Sequence, residues 1–339
     1  WLLDASNNTA MEPYRAFIAD RLPPAQLGKG FLAQSFFTGL GITLANLSLM
    51  FFQGVFGLGQ SVGIPLWVYP AFLLGSVCSI ATVLISVLST PELEPTEKEL
   101  AELRASKGGP GHFIAEIKDA IIDMPIEMRK LALVYLFQWY AMNIYWQYVS
   151  LSVSQSLYGT TDARSEGYQL AVANTGVING AYNIVTFCVA FGLVALARRL
   201  GAKWVHAIAL WCATVGLLLF PQLPTLPLKV VAIVGLGIAW ASIMGVPYIM
   251  IVRMVPSTRY GVYMGIVNMM IVIPMLIQTL TFGAIYKNLL GDNPNNAIMA
   301  AGILLGIAGL VMLWVKEPPI VRDIEPVGSG DETVTTKGA

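Results

Sequence analysis

Long apolar runs constrain this chain more than any other feature of its sequence. A hydrocarbon core about 30 Å thick is crossed by roughly 20 apolar residues of helix. Windows of that length predict nine spans, at 1–19, 30–53, 67–90, 131–157, 169–197, 204–220, 229–252, 260–285 and 297–315. Because backbone groups in lipid must be bonded within their own segment, we expect all nine to be helices. The chain is therefore predicted to be an all-α membrane protein that has the lipid bilayer as its first partner.

Composition supports a membrane protein and argues against a soluble domain, a nucleic-acid-binding protein and an enzyme. The chain is 56% hydrophobic and 12% charged, whereas soluble domains carry about 25% charged residues. A formal net charge of zero gives no reason to expect a nucleic-acid partner. The sequence shows no phosphate-binding loop, nucleophile triad or metal-ligand spacing, so we expect no enzyme activity, no cofactor and no metal. We expect Cys78, Cys188 and Cys212 to be small buried apolar residues. His112 and His206 lie near predicted loops and receive no role.

The basic residues predict how the helices are oriented. Successive loops lie on opposite sides of the membrane, and the loops and termini of one side carry 16 of the 20 lysines and arginines. The other side holds only Arg164, Lys229 and Lys287, and Arg15 lies within a span. Since cytoplasmic loops are rich in lysine and arginine, the first side is expected to be cytoplasmic. The C-terminus is then expected to be cytoplasmic and Trp1 to lie on the outer side. The membrane is expected to be the plasma membrane or, for a bacterial protein, the cell inner membrane.

The long connection in the middle of the chain divides it into parts. We predict a partial N-terminal helical bundle at 1–90, a cytoplasmic linker at 91–130, a C-terminal six-helix bundle at 131–316 and a disordered tail at 317–339. Apolar residues recur at helical spacing between Phe113 and Met124. That segment is either an amphipathic helix on the membrane face or a soluble linker helix.

A weak internal repeat suggests that helices precede Trp1. Asp20-Arg-Leu-Pro23 and Arg253-Met-Val-Pro256 both lead into glycine-containing helix starts, about 230 residues apart. Coincidence is the alternative reading. Transporters are commonly built from two repeated halves. On that basis three helices are expected upstream, and the chain is expected to be a fragment of a twelve-helix protein.

The first span carries the strongest functional signal. Asp4, Asn8, Glu12 and Arg15 are spaced four, four and three residues apart, so they form one stripe, and Pro13 is expected to bend the helix. A charge at the bilayer centre costs about 2.5–3.5 kcal/mol, so such groups persist when paired or facing water. Asp4 and Glu12 are candidate proton carriers, while Arg15 and Asn8 are candidate ligands for sugar hydroxyls. A salt bridge between Glu12 and Arg15 is the alternative, but it leaves Asp4 unexplained.

Further polar groups lie at membrane depth in the later spans. The candidates for substrate binding are Gln138, Trp139, Asn143, Trp146, Asn179, Asn183 and Asn268. Aromatic rings stack on the apolar faces of sugars while amides bond the hydroxyls. Aromatic anchoring at the membrane interface is the alternative for 138–147. Gly176 and Gly180 favour close helix packing as the main role of the 174–183 segment. Pro247 and Pro274 are candidate gating bends.

The pattern resembles a known transporter family. Leu3-Asp4-Ala-Ser-Asn7-Asn8 with Pro13, Arg15-Ala and Ala19-Asp20 is similar to helix four of sucrose–proton symporters. Met124-Pro125-x-x-Met128-Arg129-x-Leu131, Trp139, Pro247-Tyr248, Met264-Gly265-x-x-Asn268 and Ile271–Pro274 extend the likeness. That group comprises the glycoside-pentoside-hexuronide symporters and solute carrier family 45, within the major facilitator superfamily. The resemblance implies helices 4–12 of a twelve-helix fold, proton coupling at Asp4 and sugar binding at Arg15.

The sequence also departs from that family. Glu12 is an additional acid, Met275 replaces a frequent glutamine, and Arg198 stands where the superfamily's gate motif has an acid. We expect symport of a proton and a disaccharide such as sucrose or maltose, with aromatic and amide groups of 138–147 facing the sugar. The alternatives are a sodium-coupled sugar symporter and a major facilitator carrying another solute. A polytopic membrane enzyme and a structural membrane protein are more distant alternatives.

Overall fold

The computed structural model describes residues 24–90, 97, 118–255 and 260–317. Within these ranges the chain folds into long helices joined by short connections. They are α1 (Pro24–Phe56), α2 (Val68–Ser89), α3 (Ile126–Tyr158), α4 (Glu166–Leu200), α5 (Ala202–Leu219), α6 (Leu226–Met254), α7 (Tyr260–Asn288) and α8 (Pro294–Met312). The eight predicted spans that fall in the described ranges each correspond to one of these helices, which confirms the all-α membrane fold. The predicted span 1–19 lies outside the described residues.

Helix α3 is the most polar of the set. Of the described helices, seven are long and apolar enough to cross a membrane, and α3 is not one of them. Its 33 residues include amide and aromatic side chains that lower its mean hydropathy. Many of these side chains are buried against neighbouring helices, because α3 packs on α4, α7 and α8. The interior of the bundle, rather than lipid, therefore surrounds much of α3.

Local sequence fixes several helix ends. Helix α3 ends at Gly159, whose left-handed φ of 66° a residue with a β-carbon rarely adopts. Helix α4 begins after Ser165, whose hydroxyl accepts a hydrogen bond from the backbone N–H of Tyr168 at 3.1 Å. Asn293 caps α8 in the same way, and Pro294 occupies the first helical position, where no N–H is needed. The short turn between α3 and α4 is therefore set by residues of its own sequence.

The remaining helices pack around this centre. Helix α5 packs on α6 and α8, and α4 packs on α6. Helix α1 joins the bundle through α4, while α2 contacts α1 and buries none of its residues. Helices α3 to α8 thus share one apolar core, and α1 and α2 lie at its side. The predicted division into parts at 90 and 130 stays a prediction.

The contact between α1 and α4 is made through glycine. A β-carbon at Gly176 would collide with the backbone oxygen of Asn46, and one at Gly180 would lie 3.0 Å from Leu47. Close to this contact, Gln53 donates a hydrogen bond from Nε2 to the backbone oxygen of Gln169 at 2.8 Å. The packing interpretation of the two glycines is therefore confirmed, because small residues allow the helix backbones to approach.

A short hairpin connects α1 to α2. Gln60–Ser61 pairs antiparallel with Ile64–Pro65. Val62 and Gly63 form its turn with positive φ values of 53° and 76°. The sequence prediction contains no strand here, since two-residue strands are too short to produce an alternating pattern.

The expected burial of the cysteines is wrong, and a lysine at the edge of a predicted span is buried. Cys78 and Cys188 are exposed and Cys212 is half-buried, because the outer face of a membrane bundle is as apolar as its interior. Lys229, counted with the loops although the predicted span 229–252 starts there, lies fully buried in the first turn of α6. Its Nζ donates to the backbone oxygen of Phe220 at 2.7 Å and lies 4.6 Å from the centre of that ring. Both contacts compensate for the loss of water around the ammonium group.

Candidate functional site

Three tryptophan rings meet between α3 and α6. The ring centres of Trp139 and Trp146 are 6.4 Å apart, and Trp240 lies 5.8 Å from the first and 5.5 Å from the second. Trp240 packs edge-on against both rings. The indole N–H of Trp139 is buried and has no hydrogen-bond partner in the described part of the chain. The cluster thus presents broad aromatic surface together with an unused donor.

Next to Trp139, Gln138 belongs to a buried polar network. Its Oε1 lies 3.1 Å from Nε2 of His206, and Nδ1 of the same ring lies 2.9 Å from Oγ of Ser242. All three side chains are fully buried, and they join α3, α5 and α6. The Nε2 group of Gln138 finds no partner among the described residues. This amide nitrogen is therefore a second unused donor, on the residue that precedes Trp139 in α3.

Further along α3, Asn143 is bonded to α7. Its Nδ2 donates to Oε1 of Gln278, to the backbone oxygen of Met275 at 3.1 Å and to Oγ1 of Thr279 at 3.3 Å. Gln278, fully buried, donates in turn to Oε1 of Gln147 at 3.2 Å. The amide nitrogen of Asn143 is therefore committed to holding α3 against α7.

Two predicted amides of α4 contact α3 or their own helix. Tyr145, fully buried in α3, donates from its hydroxyl to Oδ1 of Asn179 at 2.8 Å. Asn183 donates from Nδ2 to the backbone oxygen of Asn179 at 2.8 Å. The ring of Tyr145 also packs edge-on against Tyr182. The contacts of Tyr145 with Asn179 and Tyr182 position α3 and α4 relative to one another.

The remaining predicted residues are less closely grouped. Asn268 is exposed on α7. Pro247 and Pro274 are buried inside α6 and α7, each of which continues as one helix through its proline. The proton-coupling and sugar candidates of the first span, with the predicted bend, lie outside the described residues. They are Asp4, Asn8, Glu12, Pro13 and Arg15.

Charged groups gather at the end of the bundle where α5 begins. Glu317 accepts from the backbone N–H groups of Ala202 at 2.9 Å and Lys203 at 3.3 Å, and it lies 3.8 Å from Nη1 of Arg253. A carboxylate at a helix N-terminus is stabilised by the unpaired N–H groups there. Gly201, with a φ of 92°, leaves room for it, since a β-carbon there would lie 2.8 Å from the carboxylate. The predicted disordered tail at 317–339 stays a prediction, since residues 318–339 lie outside the described ranges.

A second carboxylate at α3 has a shifted pKa. Burial acts to raise the pKa of Glu127, but hydrogen bonds from Nζ of Lys130 and the backbone N–H of Lys316, with both positive charges, hold it below 4.5. The Lys130 bond measures 2.8 Å. Glu127 precedes the predicted span and ties the start of α3 to the residues that follow α8.

Sequence reasoning missed His206 and its surroundings. The sequence gives His206 no role because it lies near a predicted loop, yet it is fully buried inside α5. The helix starts at Ala202, two residues earlier than predicted, and this moves the ring away from the loop. Alanines at 207, 209 and 213 signal close packing around it.

Apolar helices around a polar, aromatic-lined interior define a multi-pass α-helical membrane protein. The family model of the Major Facilitator Superfamily matches residues 131–333, which is more than half of the 339 residues. The chain belongs to the Major Facilitator Superfamily. It is a major facilitator transporter.

Proposed function

We propose that this transporter moves a sugar, a disaccharide such as sucrose or maltose, together with a proton. The observation that carries the proposal is the combination of three packed tryptophan rings with the buried, unpaired donors of Gln138 and Trp139 on α3. Sugars have apolar C–H faces that stack on aromatic rings, and hydroxyl oxygens that accept hydrogen bonds. A ligand of this chemistry satisfies both properties of the site.

The two donors have a direct chemical meaning. A buried donor without a partner costs free energy comparable to a lost hydrogen bond, about 1–3 kcal/mol. A sugar oxygen that accepts from Nε2 of Gln138 or Nε1 of Trp139 recovers that cost on binding. Recovery of this kind favours a ligand with acceptor oxygens over a purely apolar one.

The other amides take supporting roles in the proposal. Asn143, Asn179 and Asn183 already make internal hydrogen bonds. They then shape the site by fixing α3 against α7 and α4, and they meet the sugar only by exchanging those bonds. In the proposal, Asn268, which is exposed on α7, gives up no internal hydrogen bond in order to meet the sugar.

Proton coupling rests on the sequence of the first span. In the proposal, Asp4 takes up and releases the proton, Glu12 tunes it, and Arg15 clamps sugar hydroxyls with Asn8 beside it. A carboxylate partly withdrawn from water holds a proton more readily than one in water. An arginine stays charged and offers a planar pair of donors. The resemblance to sucrose–proton symporters supports these roles.

Location and conformational change complete the proposal. The bias of lysine and arginine supports a plasma-membrane protein, or an inner-membrane protein in a bacterium, with a cytoplasmic C-terminus. Pro13, Pro247 and Pro274 are proposed as bends at which helices yield during alternating access.

The test is solute uptake by the protein, expressed from its complete coding sequence and reconstituted in liposomes. An inward proton gradient is expected to drive accumulation of radiolabelled sucrose or maltose, and a protonophore is expected to abolish it. A sodium gradient without a proton gradient is expected to drive none. Accumulation driven by sodium alone would identify a sodium-coupled symporter. Uptake of a different solute with no sugar uptake would leave a major facilitator with another cargo. Empty liposomes are the control.

A further inference from the structure

The buried imidazole of His206 bonds to two other helices. It is enclosed in α5, and its partners are Gln138 of α3 and Ser242 of α6. All three residues have 0% exposed surface. A polar side chain in such a position needs both ring nitrogens satisfied, and these two contacts satisfy them.

The chemistry of the glutamine defines the protonation of the ring. Oε1 of an amide only accepts hydrogen bonds, so Nε2 of His206, 3.1 Å away, must carry the hydrogen. Nδ1 is then the acceptor, and the hydroxyl of Ser242 donates to it at 2.9 Å. The ring is thus held as one tautomer, with its N–H directed at Gln138.

This arrangement also determines where the other end of the amide lies. With Oε1 held by His206, the NH₂ group of Gln138 faces away from the ring. That group is buried and has no partner in the described part of the chain. Without His206 the amide is free to rotate by half a turn and present its oxygen instead.

We infer that His206 is a positioning residue, which orients the amide of Gln138 so that its NH₂ group donates to an acceptor oxygen of the transported solute. The inference rests on the proposed sugar site and adds a residue to it. The solute class that fits is one with acceptor oxygens, such as the hydroxyl and ring oxygens of a sugar. His206 itself does not touch the solute.

Two substitutions separate this role from simple packing. His206→Gln places a donor near the position of Nε2 and keeps the bond to Gln138. His206→Asn places its amide near the position of Nδ1, so it keeps Ser242 and loses Gln138. The matched control is Ser152→Ala, which removes the bond made by another fully buried side chain of α3, 2.7 Å to Oδ1 of Asn295 on α8.

The measurement is the dissociation constant of sucrose, or of maltose if the wild type binds maltose, followed by tryptophan fluorescence of the full-length protein in detergent. Thermal unfolding is recorded for every variant. His206→Asn is expected to weaken binding about tenfold, equivalent to one hydrogen bond. His206→Gln is expected to restore near wild-type binding. Ser152→Ala is expected to unfold at a lower temperature with unchanged sugar affinity.

A double-mutant cycle makes the test strict. In a Gln138→Ala background, His206→Asn is expected to cause no further loss of affinity, since the amide that it orients is gone. Independent losses from the two substitutions would overturn the inference, as would equal sugar affinity in His206→Asn and the wild type. A wild-type protein that binds neither sugar would instead overturn the proposed function.

Discussion

The backbone oxygen of Asn46 in α1 lies against Gly176 of α4, so close that a β-carbon on this glycine would collide with it. Backbone from one helix therefore fills the space of a missing side chain on the other. Such contacts tolerate no added atom unless a helix moves, because the obstacle is backbone and not the end of a flexible side chain.

Gly176→Ala is therefore expected to destabilise the protein. Overpacking of this kind costs about 1–3 kcal/mol. Gly192→Ala in the same helix is the control, because nothing lies within 4 Å of its added carbon. Alanine there favours the helix by up to about 1 kcal/mol. Thermal unfolding in detergent measures both, and equal unfolding temperatures would contradict the close contact.

Trp139→Phe is expected to weaken sugar binding about fivefold to tenfold. Phenylalanine keeps an aromatic ring against Trp146 and Trp240 but removes the unpaired indole donor. Trp314→Phe is the control, since that side chain is 69% exposed and outside the cluster. Equilibrium binding of radiolabelled sugar measures both variants. Unchanged affinity in Trp139→Phe would mean that the indole N–H does not meet the sugar.

Arg15→Lys is expected to abolish sugar uptake although the positive charge is kept. Lysine is a point charge on a flexible stem and lacks the planar pair of donors. Uptake into proteoliposomes, corrected for the amount of reconstituted protein, measures the effect. If the lysine variant keeps near-normal sugar affinity, Arg15 acts as a charge partner of Glu12.

Asp4→Asn is expected to separate exchange from accumulation. Asparagine resembles a permanently protonated aspartate, so the loaded carrier still changes conformation but releases no proton. Sugar-for-sugar exchange should survive, proton-driven accumulation should vanish, and the pH dependence of uptake should flatten. Parallel loss of exchange and accumulation would indicate a structural role. Continued accumulation would move the proton site, with Glu12 as the next candidate.

Glu127→Gln is expected to destabilise the protein at neutral pH by about 0.5–1 kcal/mol. The pKa of Glu127 lies below its ordinary value of 4.5 in the folded protein, because contacts with Lys130 and Lys316 outweigh the opposing effect of burial. The stabilisation is therefore complete above the ordinary pKa and is lost as the pH falls through the lowered one. Thermal unfolding of both proteins between pH 7 and pH 3 should converge at the acid end. A difference in unfolding temperature that stays constant with pH would exclude the ionisation of Glu127 as the source of the stabilisation.

Much of the fold was predictable because hydropathy is a local property. Each described span appears at its predicted place, with ends that differ by a few residues, as at α3, which begins at Ile126 where 131 was predicted. The wrong expectation for Cys78 has a physical cause. In lipid, apolar surroundings in the sequence do not separate an interior position from an outward one.

The sequence by itself determined the class of this protein, the positions of its described helices and the choice of Gln138, Trp139 and Trp146 as candidates. Length, apolarity and residue type contain that information. Only the tertiary structure decided that His206 meets both Gln138 and Ser242, and that Asn143 is bonded to α7. These partners are 36 or more residues apart in the chain. Which of them meet depends on how the helices pack and rotate against one another, and helical periodicity alone does not specify that.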